Sequence, residues 1–309
     1  MPIMTNIKFN SVLIIGIGLI GSSLARAIKE NNLAKNIYGL DNNPNNLKKC
    51  DELKLLSRGE SSLDNFSEQF DIIIICSPLR TYNKIFSDLS NYISQDTLIT
   101  DVGSTKMSVI NSFKRATTNK HLFFIPSHPI AGLEKSGPEF GFAKLFINRF
   151  CIITPFENDD NSLKKISNFW NSIGMKIQTM DAEHHDRVLA MTSHIPQLIA
   201  YSIVATATEL ETHLKDEVIK YSAAGFRDFT RLAGSDPIMW RDIYSENKDA
   251  VLEMLGRFQE DLSTLQKAIR NNDLSFLEKT FRSTREVRKT IEKIGQAGSF
   301  DPTESNKVK

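Results

Sequence analysis

The segment from Val12 to Asp41 constrains the fold more than any other part of the chain. The apolar run Val12-Leu13-Ile14-Ile15 leads into Gly16-x-Gly18-x-x-Gly21, and Asp41 follows twenty residues after Gly21. The pattern reads as a buried strand, a tight glycine turn, a helix and a second strand over 36–41 that ends in an acid. Gly16 permits the turn, Gly18 lets backbone approach a pyrophosphate, and Gly21 lets the helix pack close to the strand. The helix begins at Leu19 and Ile20, so its unpaired N–H groups and positive dipole end face the phosphates. Bare glycine triplets also occur in turns that bind nothing. Here the flanking strands and helix imply a dinucleotide site. Two readings of Asp41 stand side by side. It accepts hydrogen bonds from the adenosine ribose, or it starts the turn at Asn42-Asn43-Pro44. The first reading selects NAD over NADP, because a carboxylate repels a 2′-phosphate and no basic residue follows directly.

The first half continues in the same alternation. Apolar runs at 71–76, 97–101, 122–126, 150–154 and 176–180 suit strands of a parallel sheet covered on both faces. Leu163, Ile166, Trp170 and Ile173 keep helical spacing between the last two, and Gly174 stands where a C-cap would. The expected class is α/β, with a doubly wound Rossmann-type domain over 1–180. Strand signals then stop. Val188, Met191, Ile195, Ile199 and Ile203 recur along one face of a helix that Pro196 should kink. Val251, Leu255, Phe258, Leu262, Leu265 and Ile269 form a narrow coiled-coil-like seam, and Leu277, Phe281, Val287 and Ile291 suggest one more helix. An all-α domain is therefore expected over 181–296, with a polar tail at 297–309. Its seams either fold on one another or pair two chains across a two-fold axis, and a homodimer through this domain is the expectation.

Bulk properties exclude several classes. The chain has 309 residues, 38 basic against 37 acidic, for a net charge of +1. That balance leaves no footprint for nucleic acid or an anionic membrane. No apolar run reaches the length of a membrane span, and the start has no signal-peptide pattern. Cys50, Cys76 and Cys151 have no metal-ligand spacing and cannot all pair. No metal is expected, and reduced thiols point to a cytoplasmic protein.

Ligands in open α/β sheets bind beyond the carboxyl ends of the strands. Three groups sit there: Ser77-Pro78, the run Asp101-Val102-Gly103-Ser104-Thr105-Lys106, and Ser127-His128-Pro129-Ile130-Ala131-Gly132-Leu133-Glu134. His128 is held on a short loop beside the cofactor crevice, where it can take a hydroxyl proton as hydride leaves the same carbon. A histidine bonded only to loop backbone is the alternative. Ser104 orients His128 or the nicotinamide carboxamide, or caps a helix. Further on, Asp228 and Arg231 are three apart and can pair on one helix face, pre-organising the guanidinium for a substrate carboxylate. A surface ion pair is the plainer alternative. Trp240 can wall a pocket. His194, at the expected kink, faces a cavity or is a satisfied core histidine. His121, His184, His185 and His213 have no context that lifts them above solvated or capping roles.

These residues in this order closely resemble the prephenate/arogenate (cyclohexadienyl) dehydrogenases of tyrosine biosynthesis, from about Val12 to Ile294. The resemblance rests on Gly16-Ile-Gly18-Leu-Ile-Gly21, Asp101-Val-Gly-Ser104-Thr-Lys106, His128-Pro-Ile-Ala-Gly132-Leu-Glu134, Ser193-His194-Ile-Pro196 and Gly225-Phe-Arg-Asp228-Phe-Thr-Arg231. It implies NAD-dependent oxidative decarboxylation of prephenate, arogenate or both. It implies His128 as the base on the C4 hydroxyl and Ser104 as its aligning partner. It implies Arg231 on the ring carboxylate with Asp228 beside it, and His194 in the side-chain pocket. Glu134 and Trp240 match positions near the substrate. Gln197 stands where many members carry histidine. The helical domain is implied to be the dimer interface. A β-hydroxyacid dehydrogenase shares this layout but relies on a helical lysine, for which Lys215 and Lys220 are poor counterparts. A dinucleotide-sensing dimer would leave Ser104 and His128 without a use.

Overall fold

The computed structural model describes residues 9–157, 159–209, 217, 220, 221 and 223–293. His213, Lys215, Ile294 and the expected tail at 297–309 lie outside them. The chain divides into two compact units, Met1–Val251 and Leu252–Lys309.

The first unit is built on a six-stranded parallel sheet ordered β3-β2-β1-β4-β5-β6. Its strands are β1 (Phe9–Ile15), β2 (Ala34–Leu40), β3 (Arg58–Glu60), β4 (Ile72–Ile75), β5 (Thr97–Asp101) and β6 (Leu122–Ile125). The order reverses between β1 and β4, which opens a crevice at their carboxyl ends. Val12 pairs with Ile37 on one side and Ile72 on the other. Every residue of β4 is buried, as its unbroken isoleucine run requires of a central strand covered on both faces. α1 (Leu19–Glu30), α2 (Pro44–Glu52), α3 (Tyr82–Tyr92) and α4 (Met107–Ala116) connect the strands. Two apolar clusters line the two faces, one around Val12, Ile14, Leu24 and Trp170, the other around Leu13, Phe86, Phe113 and Phe124.

The sheet differs from expectation at its far end. The runs at 150–154 and 176–180 do not extend it. Instead β7 (Ser127–Pro129), β8 (Phe150–Ile153) and β9 (Lys176–Thr179) form a separate three-stranded sheet. β7 runs antiparallel to β8, with His128 opposite Ile152. Pro126 ends β6 and donates no backbone hydrogen bond, so the chain leaves the parallel ladder there. β3 was not foreseen, because three polar edge residues carry no apolar pattern.

After α5 (Asp160–Ser172) and β9 come α6 (Ala182–Leu189), a π-helical turn over Ala190–His194, and α7 (Ile195–Thr208). The break expected near Pro196 takes the form of this turn, which ends one residue short of the proline, before Ile195. Ala182–Thr208 is, by length and composition, one helical stretch apolar enough to cross a bilayer, which corrects the sequence reading that none was. α8 (Ala224–Thr230), a 3-10 turn over Arg231–Gly234 and α9 (Pro237–Glu246) follow. These helices belong to the same compact unit as the sheets, so that unit continues well past residue 180. α10 (Lys248–Arg270) runs from the first unit into the second, where α11 (Leu274–Lys293) follows.

Candidate active site

The glycine turn has the shape a dinucleotide needs. Gly16 has φ +91°, and a Cβ there would lie 2.8 Å from the Cys76 backbone and from Ser77 Oγ. A Cβ on Gly21 would lie 2.1 Å from the Gly16 carbonyl oxygen. α1 therefore starts as close to β1 as backbone allows. Nothing lies within 4 Å of a Cβ position on Gly18, so the turn keeps an open flank for a ligand. No side chain caps α1, whose first N–H groups remain available beside buried Leu19 and half-buried Ile20. Ser77 Oγ donates to the Ile15 carbonyl at 3.2 Å, and Pro78 is exposed on the β4 side of the crevice. Asp41 starts the bend, as the second of its two readings has it. One oxygen accepts from the Ile17 backbone N–H at 2.8 Å and the other from that of Asn43 at 2.8 Å. The carboxylate is thus fixed at the mouth of the turn while also starting the bend into α2.

His128 sits on β7, nearly buried. Its Nδ1 lies 2.9 Å from His185 Nε2, and His185 Nδ1 lies 2.8 Å from Asp186 Oδ1. Asp186 also accepts from the Lys106 and Met107 backbone N–H groups at 2.7 and 2.9 Å. This order fixes the tautomers. A carboxylate only accepts, so His185 donates from Nδ1 and accepts at Nε2. His128 then donates from Nδ1, which leaves its Nε2 unprotonated. Among the described residues that nitrogen has no partner. Burial, foremost, holds His128 well below the ordinary histidine pKa, and the charges of His185, Lys106 and His194 add to this. Burial lowers His185 too, against the pull of Asp186. Both rings are therefore neutral near pH 7.

His185 and Asp186 are the residues that sequence reasoning missed. A usable signal existed: Ala182, His185, Asp186 and Leu189 recur at one-face spacing and are all buried. The stripe read instead through Val188 and Met191 is off by part of a turn, and Met191 is 51% exposed. The π-helical turn inserts one residue and rotates the face that follows.

Ser104 is half-buried on the loop after β5 and does not cap a helix. α4 starts at Met107 without a local side-chain cap, and Asp186 supplies that role from α6. The loop is anchored below by Asp101, Lys106 and Tyr82. His194, 1% exposed, lies edge-on to Trp240 with ring centroids 6.0 Å apart. Its Nδ1 is 3.2 Å from Asn247 Nδ2, and burial lowers its pKa to about 4. It is a partnered interior histidine beside an aromatic wall. The Trp240 indole N–H is buried without a partner among the described residues. Gln197 is buried and donates from Nε2 to the Leu232 carbonyl at 2.7 Å.

The expected Asp228–Arg231 pair does not form. Arg231 pairs with Glu134, and Asp228 lies 3.7 Å from its neighbour Arg227. Three-residue spacing keeps the two near one face in an α-helix or a 3-10 turn, so spacing alone does not make the pair: the Arg231 guanidinium is taken by Glu134 across the fold. Asp228 is 77% exposed and away from the buried relay, whereas Arg231 and Glu134 join the 3-10 turn to the loop after β7.

A reversed strand order, a glycine cradle and an unprotonated histidine nitrogen define a dinucleotide-dependent α/β enzyme with a helical C-terminal region. Comparison with known proteins narrows this class. Residues 24–179 match the family description "Prephenate dehydrogenase, nucleotide-binding domain", and residues 181–283 match "Prephenate dehydrogenase, dimerization domain". The chain belongs to the prephenate dehydrogenase family. It is 36% identical to a cyclohexadienyl dehydrogenase of Zymomonas mobilis, over 91% of this chain and 95% of that one. It is 31% identical to a prephenate dehydrogenase of Bacillus subtilis, over 90% and 75%. The prephenate dehydrogenase of A. aeolicus, solved in complex with hydroxyphenyl propionate and NAD+, superposes with a TM-score of 0.83 at 33% identity. The match covers 91% of this chain and 98% of that one.

Proposed function

We propose that this chain catalyses NAD-dependent oxidative decarboxylation of prephenate to 4-hydroxyphenylpyruvate, of arogenate to tyrosine, or of both. The observation that carries the reading is the unprotonated Nε2 of His128, without a partner among the described residues, just past the carboxyl end of β6. His128 takes the C4 hydroxyl proton, and His185 and Asp186 hold its ring in the accepting tautomer. NAD+, when bound, accepts the hydride from C4. The ring carboxylate leaves as CO2, its bonding pair enters the ring, and the C4 oxygen takes a proton back as the phenol forms. Ser104, with no bonded partner among the described residues, aligns the hydroxyl and His128.

Arg231 is the cation offered to the ring carboxylate, which replaces Glu134 as its partner. Asp228 acts, if at all, through the charge of this loop. His194, Gln197 and Trp240 form the wall of the side-chain pocket. Gly16, Gly18, Leu19, Ile20, Gly21, Ser77 and Pro78 hold the pyrophosphate end of the cofactor, and Asp41 the ribose. A functional division near residue 180 is supported by the meeting point of the two family descriptions. The protein works as a homodimer through its helical region, whose exposed Leu262, Ile269, Phe281 and Val287 otherwise face water. We place it in the cytoplasm, free of the membrane: its three cysteines are unpaired, and the apolar stretch at Ala182–Thr208 carries the buried His185, Asp186 and His194 within the fold.

The test is NADH formation with prephenate, arogenate and a 3-hydroxyacid in parallel. Turnover of either cyclohexadiene is expected. Turnover of the 3-hydroxyacid alone would make the chain a β-hydroxyacid dehydrogenase.

A further inference from the structure

Lys106 is fully buried, and its ammonium has two partners. It donates to Asp101 Oδ2 at 2.6 Å and to the Ser127 carbonyl at 2.7 Å. Asp101 Oδ1 in turn accepts from the Ser127 N–H at 3.0 Å. Both backbone groups of the residue before His128 are thus gripped by the two halves of one ion pair. The Lys106 backbone N–H, meanwhile, donates to Asp186, the far end of the histidine relay. One residue therefore contacts both supports of His128: the strand that carries its Cα and the carboxylate that sets its tautomer.

We propose that Lys106, paired with Asp101, is a positioning residue for His128, holding Ser127 from below and Asp186 from the side so that Nε2 stays fixed in the crevice. The proposal rests on the role assigned above to His128. A buried ion pair is a weak source of net stability, since desolvation offsets much of its attraction. Fixing geometry is the better account of its presence here. Asp101 does not need Lys106 to be satisfied. It also accepts from the Gly103 N–H at 2.8 Å and the Tyr82 hydroxyl at 3.2 Å. Among the described residues the side-chain donor to the Ser127 carbonyl is Lys106.

The charged and titratable groups around the ammonium are Asp101 on β5, Asp186 on α6 and Cys151 on β8. Those around His128 are His185, Lys106 and His194. Burial lowers the Lys106 pKa while Asp101 opposes that shift. Among the described residues its ammonium faces both rings and disfavours their protonation, so its removal moves His128 and His185 toward their ordinary titration range.

Lys106→Met tests this. In the folded variant kcat with prephenate should fall about 10²-fold, the usual cost of an ångström-scale misplacement. KM and the NAD Kd should be unchanged, and the acid limb of kcat/KM should move to higher pH. An unchanged kcat or an unmoved acid limb overturns the proposal. Asp101→Asn combined with Lys106→Met removes both buried charges and guards against misfolding. It should bind NAD normally and remain slow, because the Ser127 carbonyl still lacks its donor. Loss of NAD binding in both variants overturns the proposal, since the pair would then hold the fold and not the histidine. In a His128→Asn background, Lys106→Met should add nothing to the loss in kcat; a full further loss overturns it. Normal turnover by His128→Asn alone would instead fail the base assignment, and the positioning role with it.

Discussion

Three histidines in the interior, His128, His185 and His194, share one electrostatic condition: burial disfavours their protonated forms. Their pKa values are depressed in the folded state. Below about pH 6.5 the unfolded chain binds protons that the native chain does not, so stability is full above that pH and is lost as pH falls. For His194, moved to about 4, the effect is on the order of 3 kcal/mol. The thermal midpoint should therefore fall steadily between pH 7 and pH 4, and less steeply in His194→Asn. A midpoint independent of pH over that range would mean these rings are solvated. The place of His128 in the fold was legible because it follows directly on the apolar run of β6, which ends at the carboxyl side of the sheet. His185 was not, because His184 and His185 are adjacent on one helix and only tertiary packing decides which ring turns inward. The Arg231 partner was illegible for a different reason: Glu134 is 97 residues away, and no local spacing encodes that contact.

At the scale of elements, the first βαβ unit was readable because each glycine answers a local steric demand. Gly21 is the sharpest case. An added methyl would meet the Gly16 carbonyl oxygen, so α1 would have to move away from β1 and carry its N-terminus off the phosphates. Gly21→Ala should weaken NAD binding by at least about tenfold, or 1.4 kcal/mol, in calorimetric titration. Wild-type affinity would show that the helix start does not touch the cofactor. The second sheet and the π-helical turn were less readable. Continuous apolar runs identify buried strands but not the sheet they join. A one-residue helical insertion leaves no compositional mark, yet it decides which face of α7 carries Gln197 inward.

For the whole molecule, the sequence announced an α/β half and a helical half, and the family match agrees with both. The apolar seam of the helical region is left exposed in a single chain. Leu262, Ile269, Phe281 and Val287 are each more than half exposed. A second copy is the occupant that the family's dimerization domain implies. Sedimentation should give twice the 34.9 kDa chain mass, and Leu262→Glu with Phe281→Glu should halve it. A wild-type monomer at micromolar concentration would contradict the dimer.

The central question is whether His128 removes the hydroxyl proton in a site that binds its cofactor independently. Single-turnover and steady-state kinetics of His128→Asn with saturating NAD+ and prephenate test this most directly. The predicted result is a kcat lower by about 10²–10⁴ with an unchanged NAD Kd. Wild-type turnover in that variant would contradict it.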